Sequence, residues 1–350
     1  MISVNTLDFS HLKYPTEGLT EWDNFVASVK NGHVFQTSPW AEYRKKAGWH
    51  PFLVTLSCQN CLQVGCMVLH RSIASLPICG VLHVPRGPVL DYDSPEAPLL
   101  LSNILDRLTQ LARRRFAVVR VCPDVERNTQ WVEEMLHEKS FKRAKRSVGH
   151  TATIRIDLTQ SLDQIIAGMS RTRRQNIHNL ENAGEQWSCY HDDSSNSLKL
   201  LYGMYHQTIT RTGKSPKCYH DLCLMHETLA SYGASFVLVV KHYDQPVAAV
   251  LLVPMRKHFW MFGASMAGDA KELKTASVAL YWEIIKWAKS QGYTEFDLQG
   301  IPDPPNPDDP LFGVYQFKQR WGGEEIGLIG EYDYTQFPIL VRLLERKLAC

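Results

Sequence analysis

KELKTASVALYWEIIKWAKSQGYTEFDLQGIPDPPNPDDPLFGVYQFKQRWGG, residues 271–323, decides how the rest of the chain is read. Val278, Tyr281, Trp282, Ile285 and Ala288 recur at helical spacing, with Lys286 and Gln291 on the wet side. Gly292 tolerates the positive φ of a helix end, and Thr294 to Leu298 then reads as a short strand. PDPPNPDDP carries five prolines in nine residues, which excludes helix and central strand and predicts a stiff surface loop. That loop delivers Gly313 to Lys318, aromatic residues around one lysine, and closes on Trp321-Gly322-Gly323. Such an order can hold a single cation in a cleft. It is also the pattern of a Pro-rich connection followed by a solvated lysine, and both readings stand at this point.

Upstream, Ser235 to Lys241 and Pro246 to Met255 form a hairpin across HYDQ, with Phe259 to Ala264 as a third strand. The same order occurs earlier. HPFLVTL and LQVGCMVLHR flank a CQNC turn, Ile78 to Val84 follows, then a helix near 96–115 and a strand from Phe116 to Val121. Each half therefore reads as hairpin, strand, helix, strand, an α+β unit with a mixed sheet, present twice. Elsewhere, residues 20–31 and the stretch after Phe35 read as helices, with Ser38 as N-cap and Pro39 in the first turn. Asp157 to Ser161 is a helix-start signal. Leu198, Leu201, Tyr202, Tyr205 and Ile209 share a helix face, and Phe337 to Leu348 reads as a terminal amphipathic helix.

At 350 residues, with 44% hydrophobic and 21% charged residues, the chain has material for two globular cores. No apolar run is long enough to span a bilayer, and the first residues lack a signal-peptide pattern. Nine cysteines at irregular spacing suit reduced thiols, so a cytoplasmic protein is expected. The net charge of +2 is small, but Arg113 to Arg115, Lys142 to Arg146 and Arg171 to Arg174 form basic clusters. Such clusters suit a phosphate-bearing substrate or an RNA, and equally an ordinary solvated face.

The motifs exclude several chemistries. Cys58-x-x-Cys61 with Cys66 begins like a zinc set but lacks a second close pair, so no metal is expected. There is no HExxH, no nucleophile elbow and no Walker loop. The repeated unit resembles the core of the GNAT-type N-acyltransferase fold, duplicated. That fold places a Gly-rich pyrophosphate loop before the helix that follows the third strand. Here those positions hold PRGPVLDYDSPEA (85–97) and ASMAGDAKELKTAS (264–277), neither with clustered glycines, which argues against CoA as cofactor.

Six pieces in order make the chain resemble the Fem family of non-ribosomal peptidyltransferases. They are QTSPWAEYRKKAGW (36–49), VPRGPVLD (84–91), residues 153–184, YHQTITRTG (205–213), WEIIKWAKSQGYTEFDLQGI (282–301) and GVYQFKQRWGGEEIGLIGEYD (313–333). The resemblance covers nearly the whole chain and implies two tandem GNAT-type acyltransferase-like domains, residues 1–148 with 324–350 and residues 149–323. It also implies an arm-less member, since no sustained heptad run is present. The implied activity is transfer of an amino acid from aminoacyl-tRNA, a co-substrate and not a cofactor, to an amine on a peptidoglycan precursor. The precursor is UDP-MurNAc-pentapeptide or lipid II, which adds a peripheral contact with the inner membrane face.

Carried over position by position, the resemblance makes Lys318 the cation that steadies the tetrahedral oxyanion, and Phe317 a stacking surface for the terminal adenosine of the tRNA. Arg44 and Arg211 fall where the family binds precursor phosphates, and Tyr219 lines the same site. Two positions depart from the family: Arg44 is commonly lysine, and Phe262 stands where a tyrosine is frequent. The alternative of the same fold is an N-acyltransferase using acyl-CoA on an amino sugar or lipid-linked saccharide. A third reading is a non-catalytic binding protein.

Overall fold

The computed structural model describes residues 2–8, 17–59, 61–72, 80–211, 215–230, 235–255, 259–266, 270–337 and 339, with side chains omitted for 2–8, 17–19, 211 and 270–273. The chain divides into two compact units, Met1–Thr153 with Ile326–Cys350, and Ile154–Glu325. The division falls at 153/154 and 325/326, against expected boundaries at 148/149 and 323/324. The expected helix from Phe337 to Leu348 lies, apart from Phe337 and Ile339, outside the described residues.

The first unit is built on an eight-stranded sheet. His50–Cys58 and Cys61–Ser72 form the expected hairpin, and Ile2–Asp8 adds antiparallel to its outer strand. Gly80–Val84 pairs antiparallel with Cys61–Ser72 and parallel with Ala117–Val121, so the sheet is mixed. The crossover joining the parallel pair contains the helix Ala97–Arg114. Its Leu101, Ile104, Leu105 and Leu108 are wholly buried against Val54, Val68 and Val119 of the sheet. Tyr332–Tyr334, from the C-terminal segment, pairs antiparallel with Ala117–Val121 and covers its other side. In the helix Ser38–Lys46 the N-cap is Thr37, whose hydroxyl accepts from the Trp40 amide. Ser38, expected as the cap, is already helical and hydrogen-bonds Asp23 instead.

The second unit carries two smaller sheets. Trp187–Asp192, Phe236–His242, Gln245–Pro254 and Phe259–Met266 form one in which every pairing is antiparallel. Ala152–Asp157 lies between Glu295–Asp297 and Glu324–Gly327 in the other. The strand expected at Thr294 to Leu298 therefore exists, but it does not extend the sheet of the preceding hairpin. It pairs with Ala152–Asp157, with Phe296 opposite Ile156. The helix Ala270–Ser290 buries Val278, Tyr281, Trp282, Ile285 and Ala288, the face read from the sequence. Leu280 and Ile284 are wholly buried too, so its middle is enclosed on more than one side. Ser161 caps the helix Leu162–Gly168 in a reciprocal capping box with Gln164.

The residues 313–318, to which the sequence reading assigns no secondary structure, lie in a helix, Phe312–Gln319. Its C-terminal end is fixed by backbone proximity. Gly322 has φ +76°, and a Cβ there would fall 2.1 Å from the Gly168 carbonyl oxygen. A Cβ at Gly323 would meet the Arg155 carbonyl oxygen at 2.5 Å. Neither position accepts a side chain without moving the backbone that seats the helix. Gly292 has a similar φ of +79° with nothing within 4 Å of a built Cβ. We expect Gly322→Ala to destabilise the protein by clearly more than Gly292→Ala, which carries only the left-handed backbone cost of about 1–2 kcal/mol. Paired thermal or denaturant unfolding of the two variants checks this, and equal losses would show that the 168–322 approach relaxes freely.

Candidate active site

The helix Phe312–Gln319 starts where the proline-rich loop ends. Prolines cannot donate backbone hydrogen bonds, so side chains close the turns. The Asn306 side chain accepts from the Asp308 amide at 3.0 Å, and the Asp309 carboxylate accepts from the Leu311 amide at 2.7 Å. The Phe312 amide then donates to the Asp309 carbonyl at 2.8 Å. The helix is short, and only Lys318 of its eight residues is buried.

Lys318 retains 7% of its surface exposed. Its Nζ donates to the carbonyl oxygens of Gln299 at 2.9 Å and Gly300 at 2.7 Å. Those carbonyls lie just past the strand Glu295–Asp297, where the ladder has ended. Gln299 holds a left-handed φ of +65°. The Asp297 carboxylate accepts from its amide at 2.6 Å, and its side-chain amide donates to the Met261 carbonyl. Burial lowers the Lys318 pKa to about 8, partly offset by the negative charge of Asp297. An ammonium has three donors, and two go to peptide oxygens.

Next to Lys318, Phe317 is half-buried and Trp321 buried. The Arg173 guanidinium lies over both rings, 4.7 Å from the Phe317 centroid and 4.2 Å from that of Trp321. One guanidinium nitrogen donates to the Phe317 carbonyl at 3.2 Å. Desolvated cation–π contacts of this kind contribute about 2 kcal/mol. Tyr281 completes the cluster, edge-on to Phe317 at 5.0 Å and stacked on Trp321 at 5.8 Å.

A cavity of about 540 Å³ opens on this cluster. Phe317 and Arg320 of the lysine-bearing segment line it, as do Arg173 and Asn176 of the helix Arg171–Asn182 and Lys274 and Thr275 of the helix Ala270–Ser290. Lys318 does not line it; its side chain leaves the helix on another side, toward Gln299 and Gly300.

Lys318 and Phe317 thus adjoin one another on one helix, with Arg211 and Tyr219 elsewhere in the same unit. Arg211 is the last residue of the helix Ser195–Arg211, and its side chain lies outside the described residues. Tyr219 opens the helix Tyr219–Ala230, its ring 5.1 Å from that of Tyr202. Phe262 packs on Tyr205 at 5.7 Å. Arg44 belongs to the first unit, in the last turn of Ser38–Lys46. Its guanidinium lies 5.1 Å from the Trp49 ring, which Arg71 also approaches at 5.6 Å. Among the described residues no group of three or more His, Cys, Asp or Glu is placed to hold a metal ion, and no helix is long and apolar enough to cross a membrane.

The carbonyls of Gln299 and Gly300 are not anticipated from the sequence, and Arg173 is read there only as part of the basic cluster Arg171 to Arg174. Arg173 had a legible signal. It precedes Ile177 and Leu180 by four and seven residues, and all three form the buried face of their helix. An arginine on the apolar stripe is not part of a solvated patch. The carbonyls had no signal, since they depend on where a strand stops pairing.

The protein-family model described as the FemAB family matches residues 18–230 and 234–346. A lipid II:glycine glycyltransferase of Staphylococcus aureus (strain USA300) is 20% identical, the match covering 93% of each chain. The crystal structure of FemX superposes with a TM-score of 0.84 at 18% identity, over 95% of this chain and 99% of that one. A tandem GNAT protein from the clavulanic acid biosynthesis pathway superposes with a TM-score of 0.52 at 6% identity, over 96% and 99%. Both likenesses concern the fold, and the α+β, tandem acyltransferase-like architecture expected from the sequence is the one found.

The burial of Lys318 has a thermodynamic consequence of definite sign. A lysine whose folded pKa lies at about 8, below the ordinary 10.5, binds its proton less tightly folded than unfolded. Stability therefore carries a penalty below pH 8 that disappears as pH rises toward 10.5. Lys318→Met removes the penalty at every pH. Between pH 7 and pH 11, the stability of wild type relative to Lys318→Met is expected to rise by up to about 3 kcal/mol. Chemical denaturation of both proteins at the two pH values measures it, and an unchanged gap would mean an ordinary lysine pKa.

Proposed function

Because the chain belongs to the FemAB family, we propose that it is an aminoacyltransferase of cell-wall synthesis, moving an amino acid from aminoacyl-tRNA to an amine of a peptidoglycan precursor. The observation that carries this reading is the buried Lys318 ammonium, presented by two peptide carbonyls with one N–H left for a substrate oxygen. A relative that acts on lipid II with glycine supports the precursor class and the type of group transferred.

The reaction is an ester aminolysis. The acceptor nitrogen attacks the aminoacyl carbonyl carbon, and the carbonyl oxygen takes the electron pair. Lys318 faces that oxygen and stabilises its charge. Collapse re-forms the C=O and breaks the bond to the ribose oxygen of the RNA. The nitrogen gives up a proton and the departing oxygen gains one, leaving an amide and a free RNA hydroxyl. No protein nucleophile enters the balance, because the ester is already activated. Alignment of the two substrates supplies much of the remaining acceleration. The fixed ammonium acts as an oxyanion donor whose removal typically costs about 10²–10³ in rate.

Phe317 supports the terminal adenosine. Arg173 is laid over its ring, so the base meets a ring–guanidinium pair and not a bare ring. By the family resemblance Arg44, held over Trp49, and Arg211 are each assigned to phosphate of the precursor, and Tyr219 belongs to the unit of Arg211. With a soluble UDP-linked precursor the reaction takes place in the cytoplasm. With lipid II it takes place at the membrane face.

The test is transfer from charged tRNA to UDP-linked and lipid-linked muropeptides, followed by mass spectrometry. Lys318→Met should lower kcat by at least about 10²-fold while the variant stays folded. With wild type, kcat should fall as pH rises through about 8, since the ammonium is lost there. Product from acyl-CoA in place of charged tRNA would replace this reading with that of a CoA-dependent acyltransferase.

A further inference from the structure

The cavity beside the lysine-bearing helix carries three cations and, among the described residues that line it, no acidic side chain. Arg173 is the informative one. It is 3% exposed, its Nε has no hydrogen-bond partner among the described residues, and its Nη2 donates to a peptide carbonyl. Arg320 and Lys274 stand exposed on the same walls, and Thr172, Asn176 and Thr275 add hydroxyl and amide groups. Burial first and the like charge of Arg320 second pull the Arg173 pKa down to about 10. The guanidinium remains charged at neutral pH, so the fold holds a desolvated cation against a neighbouring cation, with no carboxylate among the described residues paired to it. A buried charge left this way is destabilising unless an anion completes it.

We infer that this cavity is a phosphate-binding subsite, in which Arg173, Arg320 and Lys274 receive a phosphoryl group of a substrate. Guanidinium groups match phosphate oxygens in paired geometry, whereas a lysine acts as a point charge. The volume of about 540 Å³ exceeds what a lone phosphate needs and suits a nucleotide-sized group. Phe317 and the stacked Arg173 supply a flat surface for such a group. The inference rests on the reading of the protein as a transferase of phosphate-bearing substrates. The phosphate has two sources there, the phosphodiesters near the 3′ end of the RNA donor and the pyrophosphate of the precursor, the second of which would replace the assignment of that pyrophosphate to Arg44 and Arg211.

The experiment uses the full chain and the double variant Arg320→Gln/Lys274→Gln. Both side chains are exposed, so the fold should be retained, and unfolding without ligand verifies it. Inorganic pyrophosphate should raise the melting temperature of wild type and raise that of the double variant much less. Binding of uncharged tRNA and of UDP-linked muropeptide is then measured over a range of salt. If the RNA supplies the phosphate, its affinity falls by roughly tenfold or more, as loss of charge-assisted contacts does. Its log–log salt slope falls by about 1.4, the value for two contacts to a single strand. If the precursor supplies it, the muropeptide affinity falls instead, and the RNA slope is unchanged. Either result supports the subsite and identifies its source. Arg173→Lys, which keeps the charge but loses the planar fork, should weaken the same ligand. Equal pyrophosphate stabilisation and equal affinity for both substrates in wild type and double variant would overturn the inference. A wild-type protein that performs no transfer yet shows the pyrophosphate difference would overturn only the reading of function.

Discussion

A strand that stops pairing leaves peptide carbonyls that need donors, and the second unit answers that need with an ammonium. Glu295–Asp297 pairs with Ala152–Asp157, and the Leu298 amide still donates to the Ile154 carbonyl at 2.8 Å. Beyond it the carbonyls of Gln299 and Gly300 turn to Lys318. The arrangement works in both directions. The carbonyls gain a charge-assisted donor, and the ammonium gains partners that leave its charge intact. A carboxylate in their place would hold the lysine more tightly and cancel the field that a developing oxyanion needs. The lowered pKa comes from burial, which the charge of Asp297 only partly offsets.

Two buried arginines among the described residues show how partner choice separates a charge matched by carboxylates from one that is not. Arg120 of the first unit is 1% exposed, and its Nε and Nη2 each donate to the Asp333 carboxylate at 2.7 Å, while Nη1 reaches Glu331 at 3.2 Å. Its charge is matched by side chains of the returning C-terminal segment and ties that segment into the sheet. Arg173 is comparably buried, but aromatic rings and one carbonyl are its contacts. It anchors the lysine-bearing helix through Phe317 and Trp321 and keeps its charge unmatched. Removing a carboxylate from around Arg120 would strand a charge, whereas around Arg173 that condition is native.

Long elements were legible because their burial repeats. The face of Ala270–Ser290 and the hairpins of both units follow from periodicity alone. Strands of two or three residues, such as Lys142–Arg143 and Tyr332–Tyr334, are too short to show a period, and their partners are remote in sequence. The lysine-bearing helix was hidden for a related reason. It is eight residues long, follows five prolines and buries only one side chain, which is the charged one. Lys318 and Phe317 were reached through family resemblance, and no spacing argument marks them. Arg173 was masked by its neighbours. In a run of arginines charge dominates the eye, and only the spacing to Ile177 and Leu180 places one of them inside.

The two halves show the same order of hairpin, strand, helix and strand, yet the last strand pairs differently. In the first unit Ala117–Val121 lies parallel to Gly80–Val84, and the Cys122 amide goes on to donate to the Val84 carbonyl at 3.1 Å. Tyr332–Tyr334 then occupies the other edge. Backbone meets backbone along both edges of this strand, and the buried cation it carries, Arg120, is matched mainly by carboxylates. In the second unit Phe259–Met266 has no such parallel neighbour among the described residues, and Gln299 reaches across, its side-chain amide on the Met261 carbonyl. The left-handed φ of Gln299 is what lets one residue give its side chain to that strand and its carbonyl to Lys318. The ammonium of Lys318 sits where the ladder parts and carbonyls turn to it, whereas the buried guanidinium of Arg120 sits where the ladder closes and carboxylates match its charge.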